Sequence, residues 1–90
     1  MTYRHHFAEK IGEGASWHIY RFTPDSILMK DWGVVRMDES NFEIIELAPD
    51  TSGWGWTEDN QKACCSVIFA KFLRTKKVEG KAPEKLEFVA

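Results

Sequence analysis

Cys64 and Cys65, the only thiols in the chain, stand next to each other. Adjacent positions on a helix diverge by about 100°, so the pair is badly placed to close a disulfide. Zinc spacing also fails, because the sequence has no Cys-x-x-Cys and no histidine near the pair. A nucleophilic thiolate needs an electropositive, partly exposed setting, which only lysines along the same segment offer. Both cysteines are therefore expected to be packing residues.

The histidines are the next candidates. His5, His6 and His18, with Glu9 as a further ligand, could converge if the first two segments form a hairpin. Adjacent residues of a strand face opposite ways, however, so His5 and His6 cannot join one site. One imidazole from that pair, His18 and a carboxylate make a thin ligand set. The expectation is histidines on a sheet surface and no metal.

The glycines of "IGEGAS" precede an apparent strand, whereas a phosphate cradle needs a helix start after it; they read as a turn. Acids are abundant between Asp38 and Asp59, but nothing in their spacing aims two carboxylates at one cleft. No Gly-x-Ser-x-Gly elbow surrounds any serine.

Two stretches point to contact with a partner. Lys71, Arg74, Lys76, Lys77 and Lys81 form a basic run, to which Phe69, Phe72 and Tyr20 could add stacking surfaces for a nucleic acid. Positive charge also complements a helix C-terminus, and that explanation is preferred here. The second stretch is "GWGW" at 53–56. Trp56 directly precedes Thr57, the expected helix N-cap, and is expected to be mostly buried, although Gln61 makes a poor apolar staple for it. Trp54, between two glycines, is the more exposed contact candidate.

These residues must be positioned by few elements. Residues 3–11 alternate, with Tyr3, Phe7 and Ile11 on the more apolar side. "SWHIYRF" at 16–22 reads as the returning strand, and "ILMK" at 27–30 is ambiguous between strand and helix. "VVRM" follows Gly33 as a further strand. "FEIIELA" at 42–48 is another, and its Ile44-Ile45 pair suggests burial on both faces or a place in the middle of a sheet. After a loop at 49–56, a helix over 57–77 starts with Thr57 as N-cap and acids in its first turn, and ends before Gly80 and Pro83. The tail "KLEFVA" can add a short strand. The fold class is α+β: an antiparallel sheet of four to five strands with one long helix on one face.

That helix is apolar nearly all round. Cys64, Cys65, Ile68, Phe69 and Phe72 fill one arc, and Ala63, Val67, Ala70 and Leu73 much of the other. The second arc calls for the tail, the 49–56 loop or another chain as cover.

Ninety residues make one domain. The net charge of −2 hides an asymmetry: residues 1–60 carry five basic and eleven acidic side chains, residues 61–90 seven and three. Such a split bears on association rather than fold. No apolar run approaches the ~18–20 residues of a membrane span, the N-terminus has no signal-like apolar region, and the free cysteines suit a reducing, cytoplasmic setting.

Function reads first as a small non-enzymatic binding protein, a regulator, inhibitor or assembly factor, acting through protein–protein contacts and self-associating as a homodimer. Trp54, Trp56, Lys71, Arg74, Lys76 and Lys77 are the expected partner contacts, and Ala63, Val67 and Ala70 the expected self-association face. No cofactor and no membrane contact are expected. A nucleic-acid accessory protein using the basic helix end is second, and a small enzyme whose site is hidden by the fold is third.

Overall fold

The computed structural model describes residues 5–24, 30–51, 53 and 55–89. Residues 27–29 of the ambiguous "ILMK" segment, and Trp54, lie outside them. Five strands, β1 (His5–Glu13), β2 (His18–Thr23), β3 (Gly33–Met37), β4 (Phe42–Glu46) and β5 (Lys85–Val89), form one antiparallel sheet in the order β4-β3-β2-β1-β5. The helix α1 (Glu58–Glu79) packs on one face. This is the expected α+β class, with the tail supplying the fifth strand beside β1.

The local causes of α1 are those read from the sequence. Thr57 sits in extended backbone, and its Oγ1 accepts from the Asn60 amide at 3.2 Å. Gly80 takes the left-handed conformation at φ 78°, and its N–H donates to the Lys76 carbonyl at 2.8 Å.

The core lies between α1 and the sheet. Ala8, Tyr20, Phe22, Val35, Met37 and Leu86 meet Cys64, Cys65, Ile68 and Phe72 there, all buried. Phe72 is its centre: its ring lies 5.9 Å from Tyr20 and 5.6 Å from His18. Tyr20 also ties in the tail, donating through its hydroxyl to the Pro83 carbonyl at 2.5 Å. Burial, together with the Glu84 and Glu13 charges, drives its phenol well above the usual range.

Two strands face differently from expectation. In β1 the buried side carries His6 and Ala8, while Phe7 is half-buried and Ile11 exposed on the other face. The small Ala8 leaves room for α1, and Phe7 finds apolar cover elsewhere, edge-on to Trp32 at 6.1 Å. Arg21 lies over the same Trp32 ring at 4.2 Å and ion-pairs with Glu9 at 2.8 Å. Ile11 has no partner in the β1–β2 register, which shifts between Lys10 and Gly12.

β4, expected centrally or doubly buried, is instead the last strand of the sheet. Val34 pairs with Glu46 and Val35 with Ile44, so Ile45 is the extra residue of a bulge. It is 56% exposed.

Candidate functional site

Among the described residues no strand pairs with the outer side of β4, and this open edge is the feature of the surface least explained by folding. A sheet has two edges, and uncapped edges recruit other strands. At β5 the edge is blunted: Lys71 reaches from α1 and donates to the Glu87 carbonyl. At β4 apolar residues stand among Glu43 and Glu46. Phe42 and Ile44 are half-buried, Ile45 is exposed, and Leu47 just beyond the strand is 45% exposed. Between this strand and the first turns of α1 runs a groove of about 550 Å³, bordered on the helix side by Glu58 and Lys62.

The wall of the groove is held by a polar clamp. Gln61, 1% exposed, accepts from the Ala48 amide through Oε1 at 2.7 Å. Its Nε2 donates to the Ala48 carbonyl at 2.9 Å and to the Trp56 carbonyl at 3.0 Å. What Gln61 lacks as an apolar staple it replaces with hydrogen bonds, and these fix where the chain leaves β4. The loop is stiffened further from both ends. Asp50 Oδ2 accepts from the Gly55 and Trp56 amides at 2.7 and 3.2 Å. Thr51 donates to the buried Asp31 carboxylate through Oγ1 at 2.5 Å and through its amide at 3.2 Å. Gly53 and Gly55 take φ of 71° and 78°, which glycine alone adopts without strain. The glycines of "GWGW" are thus demanded by backbone conformation.

The residues expected to contact partners are dispersed. Trp56 is half-buried in the clamped loop. Lys76 ion-pairs with Glu39 in the β3–β4 turn at 2.8 Å, holding that carboxyl below its ordinary range. Lys71 serves the β5 edge, whereas Arg74, Lys77 and Lys81 are exposed. Two of the five cations in the basic run are therefore engaged within the fold. On the back of α1, Ala63 and Ala70 are exposed and Val67 is half-buried; the tail, committed to the sheet as β5, does not cover them.

Two of the three histidines, His6 and His18, do not lie on an open sheet surface, and the His5 side chain lies outside the described ones. His6 and His18 are both buried on the helix side, at opposite ends of the β1–β2 pair. His6 Nδ1 lies 2.8 Å from the Pro24 carbonyl, and the ring stacks on Phe88 at 5.8 Å. His18 Nδ1 is 3.3 Å from Glu13 Oε2, not from Glu9, which pairs with Arg21 on the other face. Lys10 joins Glu13 at 3.5 Å and Glu84 at 3.1 Å, and its ammonium is held above the usual range chiefly by the hydrogen bond to Glu84. Among the described residues no three of His, Cys, Asp and Glu are grouped as metal ligands would be. Both cysteines are buried, and the contact with Cys64, together with desolvation, raises the Cys65 thiol far above the range of a reactive one.

No described helix is long and apolar enough to cross a membrane. Comparison with family models, curated proteins and solved structures gives no match.

Sequence reasoning missed the β4 edge because it read "FEIIE" as interior. The legible signal was the flanking charge: from Asn41 to Gln61 the chain has five carboxylates and no lysine or arginine. Glu43 and Glu46 within so short an apolar strand are the pattern of an edge.

Proposed function

We propose that this protein acts by binding another polypeptide, as a regulator, inhibitor or assembly factor, and that the β4 edge with its groove is the contact surface. The observation that carries this is the exposure of Ile45 and Leu47 beside a strand that no described strand pairs on its outer side, because apolar side chains left exposed at a sheet edge mark a contact surface. Self-association belongs to the same proposal, supported by the exposed alanines of the α1 back. The nucleic-acid alternative loses support because Lys71 and Lys76 are engaged internally.

The test compares retention of native-lysate proteins by the wild type, by Ile45→Thr/Leu47→Thr, and by Lys76→Gln/Lys77→Gln. Threonine keeps strand propensity while removing apolar surface. A stoichiometric polypeptide kept by the wild type and the lysine variant, and lost by the threonine variant, is the expected result. Retention that fails instead in the lysine variant, with random-DNA binding that falls steeply with salt, would replace this reading by the nucleic-acid one.

A further inference from the structure

The β3–β4 turn determines which backbone groups of β4 face outward. Asp38 N–H donates to the Asn41 carbonyl at 3.0 Å, which makes 38 and 41 a hydrogen-bonded pair. Antiparallel pairs alternate between bonded and non-bonded. Arg36 and Glu43 are then the next bonded pair, while Met37–Phe42 and Val35–Ile44 are non-bonded. The N–H and C=O groups of Phe42 and Ile44 accordingly point away from β3, toward the open edge.

The charge on the strand itself is negative, and the carboxylates around it outnumber the cations. Glu43 and Glu46 lie on the strand and Glu58 borders the groove, with Lys62 as the cation on that wall, 3.7 Å from Glu58. Arg36 faces Glu43 from the β3 side at 3.8 Å. The five carboxylates and absent cations of 41–61 extend the same field around the strand.

A second copy of β4 is a poor occupant. Antiparallel self-pairing centred on Phe42, Glu43 or Ile44 brings Glu43 opposite or diagonal to its own copy, within about 8 Å, where like charges repel. One five-residue edge and its groove also offer far less than the roughly 1,600 Å² of a standard interface.

Resting on the protein-binding reading above, we propose that β4 accepts an extended partner segment of alternating basic and apolar side chains, added as a sixth strand. Its backbone would bond to Phe42 and Ile44, its apolar side chains would enter the groove beside Leu47, and its cations, on the opposite face of the strand, would meet Glu43 and Glu46.

The test uses the full chain and three fluorescent octapeptides: alternating lysine and valine, alternating glutamate and valine, and the lysine peptide N-methylated at alternate residues. Anisotropy titrations should show the lysine peptide binding about ten-fold or more tighter than the glutamate peptide, and the methylated one not binding. Amide shifts at Phe42 and Ile44 should accompany binding. Glu43→Lys/Glu46→Lys should invert the charge preference, and the milder Glu43→Gln/Glu46→Gln should weaken it. Equal binding of both charge types overturns the basic-partner inference while leaving β4 a strand-binding edge. Equal binding of the methylated peptide reduces the effect to charge adhesion and overturns strand addition. If no peptide binds, the inference fails, and the lysate comparison alone then decides whether the protein binds polypeptides at all.

Discussion

Replacing Gln61 with leucine keeps nearly the same volume and removes the whole clamp between β4, the 49–56 loop and α1. The magnitude follows from what is left behind. The Ala48 N–H and C=O lose their side-chain partner at a residue 5% exposed, and each orphaned buried group costs about 1–3 kcal/mol. Leucine at a 1%-exposed position returns about 1–2 kcal/mol of apolar burial. With central values of about 2 kcal/mol for each of the two orphaned groups and about 1.5 kcal/mol returned, the net expectation is a loss of about 2–3 kcal/mol, or roughly 10–20 °C in Tm for a domain of this size. Asn60→Ala is the control. It removes a bond of 2.7 Å to the Gly55 carbonyl, five residues back, but at an exposed site, and should cost less than about 0.5 kcal/mol. Urea unfolding followed by far-UV circular dichroism gives both values, and hydrogen exchange at the Ala48 amide reports the clamp directly. A Gln61→Leu loss below about 1 kcal/mol, or equal to that of Asn60→Ala, would refute the assignment of the clamp to buried hydrogen bonds.

Three further outcomes follow from particular contacts. A Cβ on Gly33 would lie 2.6 Å from the buried Phe22 ring and 2.7 Å from the Glu46 carbonyl, whereas one on Gly12 meets only Ile19 Cβ at 3.9 Å; urea midpoints should show Gly33→Ala costing about 1–3 kcal/mol or more and Gly12→Ala much less. The carboxyls of Glu9, Asp38 and Glu39 are held below their ordinary 4.5, 3.8 and 4.5 by Arg21, by the Asn41 and Ser40 amides, and by Lys76 respectively. Folded pKa values below the unfolded ones give stability that is complete above the unfolded values and lost as pH falls through the folded ones, so the urea midpoint should be level down to about pH 5 and decline beneath it. Lys76→Gln should shrink that decline by removing the Glu39 share. Neither cysteine should react with a thiol reagent at neutral pH in the native state, and both should react in urea, because the pair is buried and the Cys65 thiol is raised.

The α+β class, the limits of α1 to within two residues, the Thr57 and Gly80 caps and the packing role of the cysteines were legible in the sequence. Each rests on interactions between residues close in the chain or on the side chain's own chemistry: a hydroxyl reaching an amide three residues on, a glycine free to take positive φ, a thiol that prefers apolar surroundings. The strand order, the buried face of β1 and the exposure of β4 were decided by tertiary structure alone. Alternation tells which residues share a face, but not which face meets the helix; Phe7 lost that place to Ala8 because α1 needed the room and Trp32 supplied other cover. Ile44-Ile45 looked like an interior pair, yet a bulge opposite Val34–Val35 turned the second isoleucine outward. An edge strand is defined by the absence of a neighbour, and that depends on where β5, forty residues away in sequence, chose to pair.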